Sequence, residues 1–257
     1  MLTIEQILTK LNTDTDSPRE ALEQAILQQE AITPVLLDII EDVAKYAMSI
    51  DDIPAFIYAL YLLAQFREKR AYPFIVQYFR ELGPEIGALD PTGDIVTEDL
   101  NSILASVCHA DISLIKQLIE DPQVNEFVRN AALDSLVILY NTDQLSREEL
   151  INYIGTLLEL DEDPFFVTSL VAIACVIHPK ELYDEFVKCF DQELVEDFVI
   201  ARDDLDHSMQ MDIEKVLAEL KDNHQYQLIN DTISGMEWWG CFSPETTSKQ
   251  SLTEEDE

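Results

Sequence analysis

Two pairs of potential zinc ligands are the first chemistry that the sequence suggests. Cys175 and His178 stand at Cys-x-x-His spacing, and Cys108 and His109 are adjacent earlier in the chain. Thiolate and imidazole are ligands that zinc prefers, so the two pairs could share one ion if the fold brought them together. Each pair also ends an apolar stretch, where a buried thiol beside a helix-terminal histidine needs no metal. We therefore predict no metal and no cofactor, and keep a metal-binding regulator as an alternative.

Carboxylates gather at two places. Asp94, Glu98 and Asp99 open a helix, where they could hold a divalent ion or a basic side chain, or simply stabilise the helix dipole. Residues 191–214 carry nine acids against one base, Arg202. This second segment could receive a basic partner or form a solvated helix face.

Basic and aromatic residues form two smaller clusters. Four of the 16 basic residues surround one inter-helix turn, where they could bind an anionic partner or stabilise a helix C-terminus and pair with nearby acids. A tryptophan pair near the C-terminus could cap the open end of a helical array or anchor a bound peptide. With two of the acids above, the candidate interaction residues are Arg67, Lys69, Arg70, Arg80, Asp94, Glu98, Trp238 and Trp239.

The sequence contains no recognisable catalytic motif. It has no P-loop, GxGxxG, HExxH or GxSxG pattern. Its four histidines have no nucleophile and acid at a spacing that indicates a catalytic triad. We predict no catalytic residue and no enzymatic activity.

Helix signals occupy most of the chain around these clusters. Ser17-Pro18, Thr33-Pro34 and Asp163-Pro164 each resemble a helix start, and Ser146 to Glu149 form a capping box. Further helices are predicted near 192–201, 209–222 and 225–236. Only six glycines are present, which argues against an all-β fold.

The most apolar helices recur at similar intervals. They begin near residues 52, 95, 126 and 163, at spacings of 43, 31 and 37 residues. This irregular period is typical of HEAT or armadillo repeats, in which stacked helix pairs cover one another's apolar faces. We predict an all-α, HEAT/armadillo-like α-α superhelix, a solenoid of roughly five to six helix pairs over residues 1–242. A compact helical bundle is the alternative.

Charge limits the partners. With 51 acidic and 16 basic residues, the formal net charge is −35. Such a chain is repelled by nucleic acids and anionic membranes and favours basic proteins. No membrane-spanning segment or secretory signal is visible, and the scattered cysteines suggest reduced thiols, so we predict a cytoplasmic protein. Residues 243–257 are polar and acidic, and we predict a disordered tail.

Several strings together resemble a known bacterial family. Val128 to Leu136 resembles the core of HEAT-like repeats of the phycobilisome-lyase type. The wider set resembles a bacterial domain-of-unknown-function family of about this length, and it comprises Ile32 to Leu37, Ala59 to Arg67, Gly93-Asp94 with Thr97 to Leu100, Arg147 to Leu150, and Trp238 to Phe242.

The resemblance implies an α-helical repeat protein with no established catalytic residues. Some members of the family resemble fusions with a small cysteine-rich zinc module at the C-terminus. Here only Cys241 follows the tryptophan pair, so that module is absent. We predict a protein–protein interaction scaffold or adaptor whose partner is an unknown protein, and the acidity favours a basic one. A lyase-like or ligand-handling HEAT-repeat enzyme is the second alternative.

Overall fold

The computed structural model describes residues 1–13, 18–46, 53–82, 92, 94–160 and 163–236. Over these ranges the chain is helical and has no β-strand, which confirms the all-α prediction for them. None of the described helices is long and apolar enough to span a membrane. The α-helices are α1 (Ile4–Thr13), α2 (Arg19–Leu27), α3 (Gln29–Lys45), α4 (Ile53–Gln65), α5 (Tyr72–Glu81), α6 (Ile95–Glu98), α7 (Leu100–Val107), α8 (Ser113–Glu120), α9 (Glu126–Asn141), α10 (Arg147–Leu160), α11 (Pro164–Val176), α12 (Tyr183–Asp191), α13 (Arg202–Gln210), α14 (Ile213–Asp222) and α15 (Thr232–Met236).

The helices form two compact units. The first unit comprises Met1–Tyr78 together with the chain from Ile229 onwards, and the second comprises Phe79–Leu228. A single repeat domain over 1–242 stays a prediction. The predicted acidic tail, 243–257, lies outside the described residues.

Helix α4 is the core of the first unit. Nine of its 13 residues are buried, and it packs against α1 and α3. A helix that is apolar nearly all round must be covered on several sides, and α15 from the end of the described chain also lies against α4 and α2. The backbone amide of Ala55 near the start of α4 donates to Asn12 Oδ1 at 3.0 Å.

Helix α9 is the corresponding core of the second unit. It packs against α7, α8 and α11, and ten of its 16 residues are buried. The side chain of Asn125 caps its first turn by accepting a hydrogen bond from the Phe127 amide at 2.9 Å. The apolar helices predicted to begin near 52, 126 and 163 are present as α4, α9 and α11, whereas the one predicted to begin near 95 is divided at Asp99 into α6 and α7.

Two predicted helix starts are confirmed at the level of single hydrogen bonds. Ser146 Oγ accepts from the Glu149 amide at 3.2 Å while Glu149 Oε2 accepts from the Ser146 amide at 3.1 Å, which is a complete capping box. Asp163 Oδ1 accepts from the Phe166 amide at 3.0 Å and Pro164 is the first residue of α11.

The predicted helix start at Thr33-Pro34 is wrong. Helix α3 begins at Gln29 and continues through Pro34. The Thr33 hydroxyl donates to the Gln29 carbonyl oxygen at 2.7 Å. Because Ile32, Leu36 and Ile40 are fully buried, packing keeps the helix continuous where the local signal favoured a new start.

The helix predicted near 192–201 is also absent. Helix α12 ends at Asp191, and the chain then makes a turn before α13. Near 225–236 the structure has a short 3-10 turn, an extended stretch and α15 instead of one helix. In each segment a contact with a distant residue fixes the backbone: the Glu196 amide donates to Thr168 Oγ1, and the Tyr226 carbonyl accepts from Asn141.

Non-glycine residues end several helices in the left-handed region. Arg67, Asp143 and Glu193 have φ of 55°, 59° and 56°. In each case the residue's amide donates to the carbonyl three residues earlier and the next amide donates five residues back, for example Asp143 to Tyr140 and Gln144 to Leu139. This is the Schellman arrangement, in which glycine is the usual residue.

Asp143 offers a direct test of this strain. Asp143→Gly is expected to raise the free energy of unfolding by about 1 kcal/mol, because glycine adopts a positive φ without the steric penalty of a Cβ. The matched variant Asp143→Ala should leave stability unchanged or lower it. Urea denaturation of both variants measures the difference, and a stabilising alanine would contradict this account.

Candidate functional site

An exposed apolar pair stands on the turn between α12 and α13. Phe198 is 86% exposed and Val199 is 54% exposed. Both belong to the second unit and lie inside the acid-rich segment 191–214. Neighbouring exposed phenylalanine and valine side chains are costly to hold in water and are typical of interaction surfaces.

Burial and hydrogen bonds of the neighbouring residues fix this turn. Val195 and Ile200 on either side of the pair are buried. The Glu196 amide donates to Thr168 Oγ1 of α11 at 2.9 Å, and the Val199 amide donates back to the Glu196 carbonyl at 2.9 Å. The anchored flanks leave Phe198 and Val199 at the tip, so the fold presents the pair instead of burying it.

The segment that carries the pair holds nine carboxylates and one base. The segment's single base, Arg202, contacts Asp206 at 3.3 Å, and the Tyr183 hydroxyl donates to the same carboxylate at 2.6 Å. Together these contacts lower the pKa of Asp206, with the tyrosine hydroxyl as the larger cause. The exposed acids of the segment are Asp191, Glu193, Asp197, Asp203, Asp204, Asp212 and Glu214.

Some of these acids also have a structural task. Asp204 accepts from the Ala201 amide at 2.9 Å, and Asp212 caps α14 by accepting from the Glu214 amide at 2.9 Å. No described hydrogen bond or ion pair engages Asp197 or Asp203. These two carboxylates flank the apolar pair in the sequence and can meet a partner without breaking the fold.

Three residues of the predicted basic cluster belong to the first unit and Arg80 belongs to the second. The side chains of all of them except Lys69 form hydrogen bonds or ion pairs with other described residues. Arg67, at the end of α4, donates to the carbonyls of Ala64 (2.5 Å) and Ile229 (2.6 Å). Partial burial lowers its pKa. Arg70 pairs with Glu68, at 2.7 Å between Nη2 and Oε2. That these basic residues bind a partner remains a prediction.

The remaining predicted residues belong to other segments of the chain than the exposed pair. Arg80, in the second unit, pairs with Asp121 at 2.7 Å, and Lys69 is exposed in a 3-10 turn. Asp94 and Glu98 are exposed at the two ends of α6. The predicted aromatic anchors, Trp238 and Trp239, lie outside the described residues.

The cysteines do not resemble activated nucleophiles. Burial raises the pKa of Cys108 to about 11 and also raises that of Cys175, which lies 3.7 Å from Ser208 Oγ. A raised pKa keeps a thiol protonated and poorly reactive. Within the described ranges no group of three or more His, Cys, Asp and Glu side chains could hold a metal ion.

One half-buried carboxyl has a raised pKa. Asp134 of α9 is hydrogen-bonded to the Tyr226 side chain, and burial raises the pKa of Asp134 to about 7 despite that bond. Asn141, two turns further along α9, donates to the carbonyls of Leu220 (3.3 Å) and Tyr226 (2.9 Å). These contacts fasten the chain after α14 to the central helix of the second unit.

Comparison with known proteins places the chain in a family. Residues 2–243 match the family model described as Protein of unknown function (DUF1186). The chain belongs to this family. An uncharacterised protein of Chlamydia trachomatis serovar D is 42% identical over 229 residues, covering 86% of this chain and 89% of the relative. An uncharacterised protein of Chlamydia muridarum is also 42% identical over 229 residues, covering 86% and 90%. No solved structure matches the chain.

The family match confirms the resemblance found in the sequence. It covers nearly the whole chain, and the relatives are bacterial. Family membership assigns no site residue, so Phe198 and Val199 are identified as a candidate site from the structure alone. Sequence reasoning singled out the acids of 191–214 but missed Phe198 and Val199, because the segment was predicted to be a helix. Two adjacent large apolar residues between Asp197 and Ala201 were the available signal.

Arg67 should contribute more to stability than a surface arginine. We expect Arg67→Met to lower the free energy of unfolding by about 2 kcal/mol, because it removes charged hydrogen bonds to two carbonyls. Arg80→Met is the matched control and should cost less than about 1 kcal/mol, as an exposed ion pair does. Urea denaturation and hydrogen exchange of the Thr232 amide measure the effect; equal losses would contradict this ranking.

Asp134 should make stability depend on pH. Its folded-state pKa is above the ordinary value of 3.8, so the folded chain binds this proton more tightly, and stability should fall as pH rises from about 4 to about 7. Asp134→Asn should remove this decline and be more stable at pH 8 by an amount on the order of 2–4 kcal/mol. Urea denaturation at pH 5 and 8 tests it; an unchanged slope would refute the assignment.

Proposed function

We propose that this protein is a non-catalytic interaction scaffold that binds a basic protein segment at the turn carrying Phe198 and Val199. The observation that supports the proposal is the coincidence of an exposed apolar pair with a field of carboxylates in one anchored segment. An aromatic side chain provides the buried contact area that dominates binding energies. Surrounding acids favour a partner with lysine or arginine around an apolar pocket and speed its approach.

We further propose that the helices are arranged as HEAT-like repeats. In the second unit the apolar helices α7, α9 and α11 follow one another in space, since α9 packs against both of the others. The intervals between apolar helices have the length of such repeats. This arrangement suits a scaffold because repeat stacking builds a large, stable surface without requiring chemistry.

The proposal includes the absence of catalysis and a location in the cytoplasm. Burial raises the pKa of Cys108, Cys175 and Cys189, which disfavours a thiolate nucleophile. These three cysteines are free thiols, as is usual for proteins of a reducing compartment.

Affinity purification from the native cell at low salt tests the docking surface. The wild-type chain and the variant Phe198→Ser are compared, followed by Asp197→Lys with Asp203→Lys. We expect a basic protein to be retained by the wild type and lost at least about ten-fold with either variant, because the first removes the apolar anchor and the second reverses the local charge. Binding should also weaken as salt is raised.

Matched controls separate the surface from general effects. Leu27 is 73% exposed in the first unit, so Leu27→Ser removes a similar apolar group elsewhere. Glu23→Lys with Asp38→Lys reverses two exposed acids of the first unit. These controls should retain the partner. Recovery of the same protein by the Phe198 and charge-reversal variants, or recovery of no specific partner, would refute the proposed surface.

A further inference from the structure

A cavity of about 330 Å³ opens in the second unit beside α8, α9 and α10. Its volume lies at the lower end of the range for small-molecule sites, so it suits a metabolite about the size of an amino acid better than a large cofactor. Its lining combines apolar residues with charged, polar and aromatic ones. The apolar residues are Ile112, Leu136 and Leu145, and the others used below are Lys116, Glu149 and Tyr153.

Lys116 supplies a positive charge that is held in place. Its ammonium lies 4.2 Å from the centroid of the Tyr153 ring. The Tyr153 hydroxyl donates to Glu120 Oε1 at 2.8 Å, which fixes the ring. No carboxylate of the described residues forms an ion pair with Lys116. The ammonium therefore has donor capacity left for an anionic group.

Glu149 supplies the opposite charge. Its carboxylate accepts from the Ser146 hydroxyl at 2.6 Å and from the Ser146 amide at 3.1 Å. These bonds, and in smaller part the charge of Lys116, lower the pKa of Glu149, so it is ionised at neutral pH. The capping box that starts α10 thus also orients a carboxylate in the lining of the cavity.

From this arrangement we propose that the cavity binds a small zwitterion with an apolar body, namely an apolar α-amino acid. Its carboxylate meets Lys116, its ammonium meets Glu149, and its side chain lies against Ile112 and Leu145, whereas the third apolar lining residue, Leu136, is fully buried. Carboxylate–ammonium contacts of this kind are the stronger hydrogen bonds of binding sites.

Other ligand classes fit less well. A phosphate ester would bring two negative charges to one lysine beside a carboxylate. A quaternary ammonium would need the ring face that Lys116 already covers. The net charge of −35 repels anions at long range, whereas a zwitterion carries no net charge.

Calorimetric titration of the full chain with L-leucine and L-phenylalanine tests the proposal. We expect saturable binding in the submillimolar to millimolar range. Lys116→Met and Glu149→Gln should each weaken leucine binding about ten-fold, which is the usual loss for a charged hydrogen bond. Methionine keeps an aliphatic chain over Tyr153, and glutamine can still serve the capping box, so both variants should fold.

Two leucine analogues and one localisation experiment decide the charge assignment. 4-Methylpentanoate lacks the ammonium and 3-methylbutylamine lacks the carboxylate; both should bind about ten-fold more weakly than leucine. Methyl NMR signals of Ile112, Leu136 and Leu145 should shift with leucine. No saturable binding, equal binding of either analogue, or shifts confined to other residues would overturn the proposal. The inference does not depend on the docking surface, and Phe198→Ser should bind leucine unchanged.

Discussion

In the described fold, arginine side chains donate hydrogen bonds to backbone carbonyl groups at the ends of helices, and the packing of these ends depends on them. The last turn of every helix leaves carbonyl groups without a backbone partner. Arginine side chains fill this need at three places: Arg67 donates to Ala64 and Ile229, Arg129 donates to Ile119 at 2.9 Å, and Arg147 donates to Ile177 at 2.9 Å and to His178. Arg129 is 6% exposed and lies 3.9 Å from the centroid of the Phe166 ring. Burial of a guanidinium is tolerated there because carbonyl oxygen and ring face replace the lost water.

This use of arginine has a consequence for the surface. The chain has only 16 basic residues, and several of them serve backbone carbonyls or local ion pairs. Asp197, which precedes the exposed Phe198 in the sequence, and Asp203 have no ion pair among the described residues. Basic residues are few, so a lysine that lines a cavity is notable. Lys116 is such a residue, and it forms no ion pair among the described residues. The proposed docking surface and the proposed ligand site thus both follow from one uneven distribution of charge.

Predictions from the sequence succeeded where the signal was local. The capping box of Ser146 and Glu149 and the start of α11 at Asp163-Pro164 depend on residues within one helical turn, so the pattern was sufficient. The prediction failed at Thr33-Pro34 and over 192–201, where distant packing decides the backbone. Thr168 of α11 holds the Glu196 amide, and no pattern within 192–201 reveals that partner.

Composition and periodicity alone therefore establish the helical class, the acidity and the order of apolar helices, because these follow from each residue's neighbours three or four positions away. Only the folded chain brings Ile229 to Arg67, Tyr226 to Asp134 and Tyr153 to Lys116. These pairs are separated by tens of residues or more, and whether they meet depends on how helices pack. The exposure of Phe198 and the approach of Lys116 and Glu149 to one cavity arise at that level, since both are properties of a packed structure and not of a local segment.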